Sequence, residues 1–259
     1  MKRKKRYVLE CLGLRIGLDF PNFENKQIIL NDFYERFVDY WSSFFVDYKF
    51  ERVDWKLSWQ TDDLLKWKLE GKTRWLKWLE EDGNIWRIES FCSIENINFL
   101  LGQLWIKLLW TNEGLVLHGS AVEKDGVAYV FVAESGVGKS TVAKILEEQG
   151  FQHLTDDVVF LRKIRDKWVL SGSPLIEKEY KPVKWQGDKF KIFLLSRGND
   201  VTTRVVSEKK QLDLLLRQVF IDYKENFTIQ RVISLIKSVS ISELRVNIHY
   251  KDKIGRVIL

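Results

Sequence analysis

The sequence predicts an α/β protein in two parts: a small α+β unit over residues 1–92 and an α/β domain over residues 93–259. Three observations predict it. Nine of the eleven tryptophans fall between Trp41 and Trp110, so the first part differs in character from the rest. Val127 to Val132 is a nearly continuous apolar run of strand length, followed by a glycine-containing loop and a segment of helical composition. Apolar alternation, short turns and helical spacing then succeed one another to the end of the chain, with no internal repeat or low-complexity tract.

Taken in order, Tyr7 to Phe20 alternates imperfectly and stops at Pro21-Asn22, which reads as a strand and turn. Over residues 31–46, Phe33, Phe37, Trp41, Phe44 and Phe45 recur at helical spacing behind a candidate cap, Asn31. Segments 51–60, 73–80 and 84–92 read as short strands, the last two joined by the hairpin turn Glu81-Asp82-Gly83-Asn84. Ser93 can cap a long helix through Leu108 or Leu109 that ends near Gly114. Leu115–Val122 and Val127–Val132 form strands around a tight turn, Glu123-Lys124-Asp125-Gly126. A helix from Lys139 to Gln149 ends at Gly150. Val158–Ile164 and Lys167–Leu170 make another hairpin, and Lys189–Leu195 a further strand. Two helices follow, from Ser207 to about Ile221 and from about Glu225 to Val239. Leu244, Val246, Ile248 and Tyr250 alternate in a last strand.

Composition narrows the function classes. With 259 residues, 45% hydrophobic and 30% charged, the chain has globular composition rather than that of a disordered one. The longest apolar stretch, Ile97 to Trp110, is interrupted by Gln103 and Lys107, and the basic start leads into no apolar segment of signal length, so neither a membrane span nor a signal peptide is expected. Cys11 and Cys92 supply no metal framework, and a cytoplasmic location is expected. The net charge of +6 is largely local: without Lys2 to Arg6 the balance is +1. That run reads as a solvated terminus. Trp67, Trp75 and Trp78 lie among Lys66, Lys68, Lys72, Arg74 and Lys77, an arrangement that single-strand nucleic-acid grooves use. Lysine stems covering a small aromatic core account for it better, so nucleic acid is not expected as a partner.

The strongest chemical signal is Ala133-Glu134-Ser135-Gly136-Val137-Gly138-Lys139-Ser140-Thr141, a match to the phosphate-binding pattern G-x-x-x-x-G-K-[ST] except that Ala133 holds the first glycine position. Small or glycyl residues let the backbone N–H groups of Ser135 to Thr141 wrap around phosphate oxygens. Lys139 adds a mobile cation, the Ser140 hydroxyl suits Mg²⁺, and the helix N-terminus favours an anion at the same place. A buried strand before the loop and a helix after it provide the context the motif requires. Asp156 and Asp157, at the start of a strand 17 and 18 residues after Lys139, are candidates for metal or proton chemistry, their carboxylates pointing to opposite faces. As strand-edge residues they would serve equally well bound to backbone N–H groups. His118 belongs to the strand before the loop and would lie near the P-loop if the two strands pair antiparallel; a satisfied structural histidine is its ordinary role.

Together these pieces resemble the HPr kinase/phosphorylase family and its HPr-kinase-like relatives in bacterial peptide-modification clusters. The resemblance is carried by His118-Gly119-Ser120-Ala121-Val122, the loop Ala133 to Ser140, Gly150 and Asp156-Asp157, with Ser171-Gly172-Ser173-Pro174 similar to a small-residue and proline stretch that follows. It is specific over about residues 115–175. It implies a P-loop kinase fold related to that of phosphoenolpyruvate carboxykinase, ATP and Mg²⁺, and γ-phosphoryl transfer to the serine hydroxyl of a peptide or protein. By position, Asp156 would be the general base with His118 its neighbour, Asp157 would support magnesium, and Lys139 and Ser140 would keep the roles above. The glutamate-isoleucine-arginine-glycine run of the bifunctional enzymes is missing, which speaks against HPr as acceptor and against phosphorylase activity; Glu177 or Glu179 is the nearest replacement for its glutamate. Other readings of the same residues are a small-molecule kinase, for instance on free serine, and a non-catalytic ATP-binding regulatory module. Arg197 and Arg204 flank a loop suited to closing on phosphate. The acceptor and a homo-oligomeric state are left open by the sequence.

Overall fold

The computed structural model describes residues 5–20, 35–47, 49, 52–59, 76–82, 84–90, 93–178, 180–220 and 227–259. The chain is an α/β protein that divides into two compact units, Met1–Leu108 and Leu109–Leu259. The division falls in the last turn of the long helix that the sequence reading places at the head of the second part.

In the first unit, β1 (Lys5–Cys11) and β2 (Leu14–Phe20) pair antiparallel. The single strand expected over 7–20 is thus a hairpin, turned at Leu12 and Gly13, whose φ values are 53° and 72°. With β3 (Trp55–Trp59), β4 (Leu76–Asp82) and β5 (Ile85–Ser90) they form a sheet of order β1-β2-β3-β5-β4. A short helix, α1, covers residues 35–41 and continues into a 3₁₀ turn, Ser42–Phe44. Phe37, Trp41 and Phe44 are buried, as the helical spacing predicts, and the Phe37 ring lies 5.0 Å from Tyr7 and 5.2 Å from Phe20. Asn31, Phe33 and the lysine–tryptophan segment around Trp67 and Trp75 lie outside the described residues. Helix α2 (Ile94–Thr111) is capped by the Ser93 hydroxyl, which accepts the Asn96 N–H at 3.2 Å. No helix among the described residues is long and apolar enough to cross a membrane.

The second unit is built on a nine-stranded sheet. Its strands are β6 (Gly114–Lys124), β7 (Val127–Val132), β8 (Gln152–Thr155), β9 (Val158–Ile164), β10 (Lys167–Ser171), β11 (Gln186–Gly187), β12 (Phe190–Arg197), β13 (Thr202–Val205) and β14 (Ser240–Val246). The order is β11-β10-β9-β6-β7-β12-β14-β13, with β8 also on β6. The centre, β7-β12-β14, is parallel, so these three strands end on one edge of the sheet. β7 and most of β12 are buried and apolar, as parallel strands covered on both faces are, whereas β14 buries Ile241, Leu244 and Val246 and exposes Ser240 and Arg245. Phe131 and Phe193 face each other in register with their rings stacked at 6.0 Å. Helix α3 (Lys139–Glu148) contributes Val142, Ala143, Ile145 and Leu146 to the core on this sheet. Helices α4 (Glu208–Leu216), capped by Ser207, α5 (Thr228–Ser238) and α6 (Ile254–Ile258) complete the unit.

Two differences from the sequence reading occur near the C-terminus. The edge strand β13 was not foreseen: Thr202 to Val205 are all exposed, so no buried face marks it. The last strand stops at Val246, because the Asn247 side chain accepts the His249 N–H and opens a 3₁₀ segment, Ile248–Lys253. Ile248 and Tyr250, expected on the strand, are 60% and 45% exposed.

Candidate active site

Residues Ala133 to Gly138 form the loop between the end of β7 and the start of α3, on the edge where the parallel strands end; open α/β sheets hold their ligands at this edge. Positive φ falls on Gly136 (78°) and Gly138 (119°) and not on Ala133, so the position where the pattern departs from glycine makes no demand for it. Ser135 and Gly136 are exposed at the tip, Val137 and Gly138 half-buried, and Ser140 and Thr141 stand in the first turn of α3. Lys139 is buried, its Nζ donating to the Ala133 carbonyl at 2.9 Å. Burial lowers its pKa, although Asp157 and Asp156 pull the other way. A buried ammonium of this kind is completed by an anion.

The aspartate pair sits at a bend, not on a strand. Strand β6 pairs first with β9, His118 opposite Val158, and then with β8, Ala121 opposite Thr155. Asp156 and Asp157 are the excursion between them, and the Asp157 carbonyl accepts the Gly119 N–H at 3.2 Å. Such interruptions re-aim side chains. Here both carboxylates turn toward one cation, Lys178, instead of to opposite faces. Its Nζ is in direct contact with Asp156 Oδ2, 3.7 Å from Asp157 Oδ1 and 3.1 Å from Ser140 Oγ. Asp156 is buried, while Asp157 is 43% exposed.

Glu177 fixes this arrangement. It is buried, and its Oε2 accepts the N–H groups of Asp156 (2.5 Å) and Asp157 (3.1 Å), while the Thr155 hydroxyl lies 2.8–2.9 Å from both carboxylate oxygens. Burial raises its pKa against these hydrogen bonds. Its oxygens are thus engaged by the aspartate bend, a positioning role. Glu179, the other replacement considered, lies outside the described residues.

His118 lies one residue before Gly119, which pairs with Val132 at the base of the loop, so the histidine is brought to the P-loop end of the hairpin. Burial, with the Lys139 charge next, lowers its pKa, and Gln218 is a side-chain hydrogen-bond partner. Its backbone N–H donates to the Gln218 carbonyl at 2.7 Å. An open cleft of about 520 Å³ is lined by His118, Asp157, Arg217, Gln218, Val219 and Phe220. Arg217, 3.8 Å from Glu134 of the loop, and Gln218 are residues that sequence reasoning missed; both follow α4 and carry no local motif. On the other side of the loop, a second cleft of about 450 Å³ lies between Gly136–Val142 and the ends of β12 and β14, where Thr141, Arg197 and Asn247 line it. Arg197 donates to the Gly136 carbonyl at 2.8 Å. Arg204 instead pairs with Glu243 at 2.5 Å, alongside Lys210 at 3.1 Å.

Ser140, Asp156 and Asp157 gather oxygen donors around an ammonium, which is the donor chemistry that Mg²⁺ takes. Among the described residues no three histidine, cysteine, aspartate or glutamate side chains form a metal cluster. A magnesium ion that keeps several waters and substrate phosphates as ligands needs no such cluster.

No protein-family model matches the chain. It is 30% identical over 95 residues to the HPr kinase/phosphorylase of Caldanaerobacter subterraneus subsp. tengcongensis, covering 37% of this chain and 30% of that protein. It is 41% identical over 56 residues to that of Chlorobium phaeovibrioides, covering 22% of this chain and 17% of the relative. The similarity therefore spans less than a third of these relatives' length. The solved HPr(Ser) kinase/phosphatase from Coxiella burnetii aligns with 55% of this chain and 93% of its own at 13% identity and a TM-score of 0.34. The curated relatives, all named HPr kinase/phosphorylase, support an HPr-kinase-like family for this chain, as the motifs of residues 115–175 imply.

Proposed function

We propose that this chain is an ATP-dependent kinase that transfers the γ-phosphoryl group to a serine hydroxyl of a peptide or protein. One observation carries the reading: Lys139, Ser140, Asp156, Asp157 and His118, drawn from three separate stretches of sequence, converge beside the P-loop and a cleft. A nucleotide sensor needs the loop but has no use for a buried aspartate linked through Lys178 to Ser140 at the loop's end.

In this reading the amides of Ser135 to Thr141 hold the β- and γ-phosphates, and Lys139, already desolvated, exchanges its contact with the Ala133 carbonyl for phosphate oxygens. The nucleoside lies in the cleft beside Thr141, Arg197 and Asn247. Ser140 and Asp157 would hold magnesium, which neutralises charge on the phosphates when bound. The acceptor serine enters by the cleft of His118 and Arg217. Asp156 takes the hydroxyl proton as the oxygen attacks the γ-phosphorus and the bond to the β,γ-bridging oxygen breaks, ADP leaving; the proton transfer is worth roughly 10²–10⁴ in rate. His118, whose pKa burial and the Lys139 charge lower, orients the acceptor. Arg217 neutralises charge on the transferring group.

The test is incubation of the protein with γ-labelled ATP and a panel of serine peptides, HPr and free serine, alongside Lys139→Ala. Label should appear on seryl oxygen in a peptide or protein, and the variant should lose nucleotide affinity and transfer together. Wild-type affinity and turnover in Lys139→Ala would refute the phosphate-binding role of the loop.

A further inference from the structure

We infer that Lys178 is a resident cation of this site, excluding divalent metal from the nucleotide-free protein and giving way to it when nucleotide arrives; the inference rests on the magnesium role given above to Ser140 and Asp157. The ammonium lies against both groups that would hold the metal, Ser140 at 3.1 Å and Asp157 at 3.7 Å, and is in direct contact with Asp156 beside them. A metal bound to those oxygens at about 2.0–2.1 Å would stand within contact range of Nζ, and two cations cannot share so small a space. The ammonium cannot keep this place once metal is bound to the same oxygens. It has to move.

The local structure allows that movement. The backbone at this turn is anchored: Glu177 is buried on the amides of Asp156 and Asp157, and its own N–H and carbonyl exchange hydrogen bonds with Tyr180. Lys178 itself adopts a left-handed conformation (φ 49°), uncommon for a residue with a side chain, and this strain fits a position held for where it sends the side chain. The side chain is 52% exposed, so its four-carbon stem can swing the head group out while the main chain stays in place. Triphosphate brings enough negative charge to bind metal and to receive the displaced ammonium. Metal alone brings none.

The experiment is a Mn²⁺ titration of the nucleotide-free protein followed by electron paramagnetic resonance, on wild type, Lys178→Met and Lys144→Met. Methionine keeps the stem and removes the charge, and Lys144 is an exposed lysine of α3. Lys178→Met should bind Mn²⁺ at least tenfold more tightly than wild type, and Lys144→Met within about twofold of it. With ATP present, the advantage of Lys178→Met should shrink to less than threefold. Equal or weaker Mn²⁺ binding by Lys178→Met overturns the inference, as does an equal gain in Lys144→Met, which would mark a general charge effect. Circular dichroism melts of the same samples establish that the variants are folded. The nucleotide-free titration uses neither ATP nor acceptor, so its failure is distinguishable from failure of the kinase reading, which is judged on Lys139→Ala.

Discussion

Replacing Glu177 tests whether the aspartate bend is built as the geometry indicates. Glu177→Ala removes the acceptor for the Asp156 and Asp157 N–H groups and a partner of the Thr155 hydroxyl. A buried donor left unpaired costs about 1–3 kcal/mol, so two cost about 2–6. Two effects reduce that sum. Asp157 is partly exposed and admits water to its amide, and the buried carboxylate itself is unfavourable, as its raised pKa records. A net loss of about 2–4 kcal/mol is expected. Glu177→Gln keeps one acceptor oxygen for the two amides, removes the buried charge and should stay within ~1 kcal/mol of wild type. The pH dependence follows from the sign of the shift: because the folded protein holds this proton above the ordinary value of 4.5, the contribution of Glu177 is greatest below that value and declines as pH rises through the folded pKa. The balance should therefore move in favour of Glu177→Gln as pH rises from 4.5. Urea unfolding gives the energies, and hydrogen exchange over residues 152–160 reads the two amides directly. The P-loop is untouched, so Glu177→Ala should bind ATP within a few-fold of wild type while transfer falls at least tenfold. Unchanged stability and unchanged amide protection in Glu177→Ala would refute this account of the bend.

Other outcomes are expected from the same site and its surroundings. Asp156→Asn should retain ATP affinity while single-turnover transfer falls by about two orders of magnitude or more; full transfer would remove the base from the mechanism. Asp157→Asn should raise the Mg²⁺ concentration required for transfer, and an unaltered magnesium profile would contradict its metal role. The protein should release no phosphate from seryl-phosphorylated HPr, because the glutamate-isoleucine-arginine-glycine run is missing; steady phosphate release in a coupled assay would overturn that. Glu243 ties together four partners, and although burial opposes it, hydrogen bonds from Arg204, Ser196 and Lys210 hold its pKa at about 2. Its stabilisation is present above the ordinary value of 4.5 and is lost as pH falls from there toward 2. The contribution is at most about 3 kcal/mol by linkage, and about 1–2 after screening, since Arg204 and Lys210 are roughly half exposed. Wild type should thus lose more stability than Glu243→Gln between pH 5 and 3, and parallel pH profiles in urea would count against the cluster.

The half of the site that faces phosphate was legible in the sequence, because its chemistry is local. An apolar strand, two glycines with positive φ and a helix start must be adjacent in the chain for backbone amides to enclose an anion. The half proposed to face the acceptor was legible only in part: Asp156 and Asp157 stood out as candidates for metal or proton chemistry, and the resemblance alone assigned Asp156 and His118 their roles. Asp156 and Asp157 read as strand residues because the bend depends on β6 pairing with two strands in succession, which no window of the sequence displays. Lys178 is 22 residues from Asp156 and reaches it through a turn that Glu177 anchors from inside; in the sequence it is one lysine among many. Arg217 and Gln218 arrive from the end of α4 by packing alone. The over-extended last strand fails for the converse reason: Val246, Ile248 and Tyr250 keep the alternation, but one asparagine side chain satisfies the backbone differently and ends the strand. The division has a functional sense. Phosphate is common to every enzyme that uses a P-loop, so its cradle can be a motif. The acceptor differs from one kinase to the next, and the groups proposed to meet it come from separate elements, so on the proposed reading the cleft of His118 and Arg217 is where substitutions should change which hydroxyl is used while leaving nucleotide binding intact.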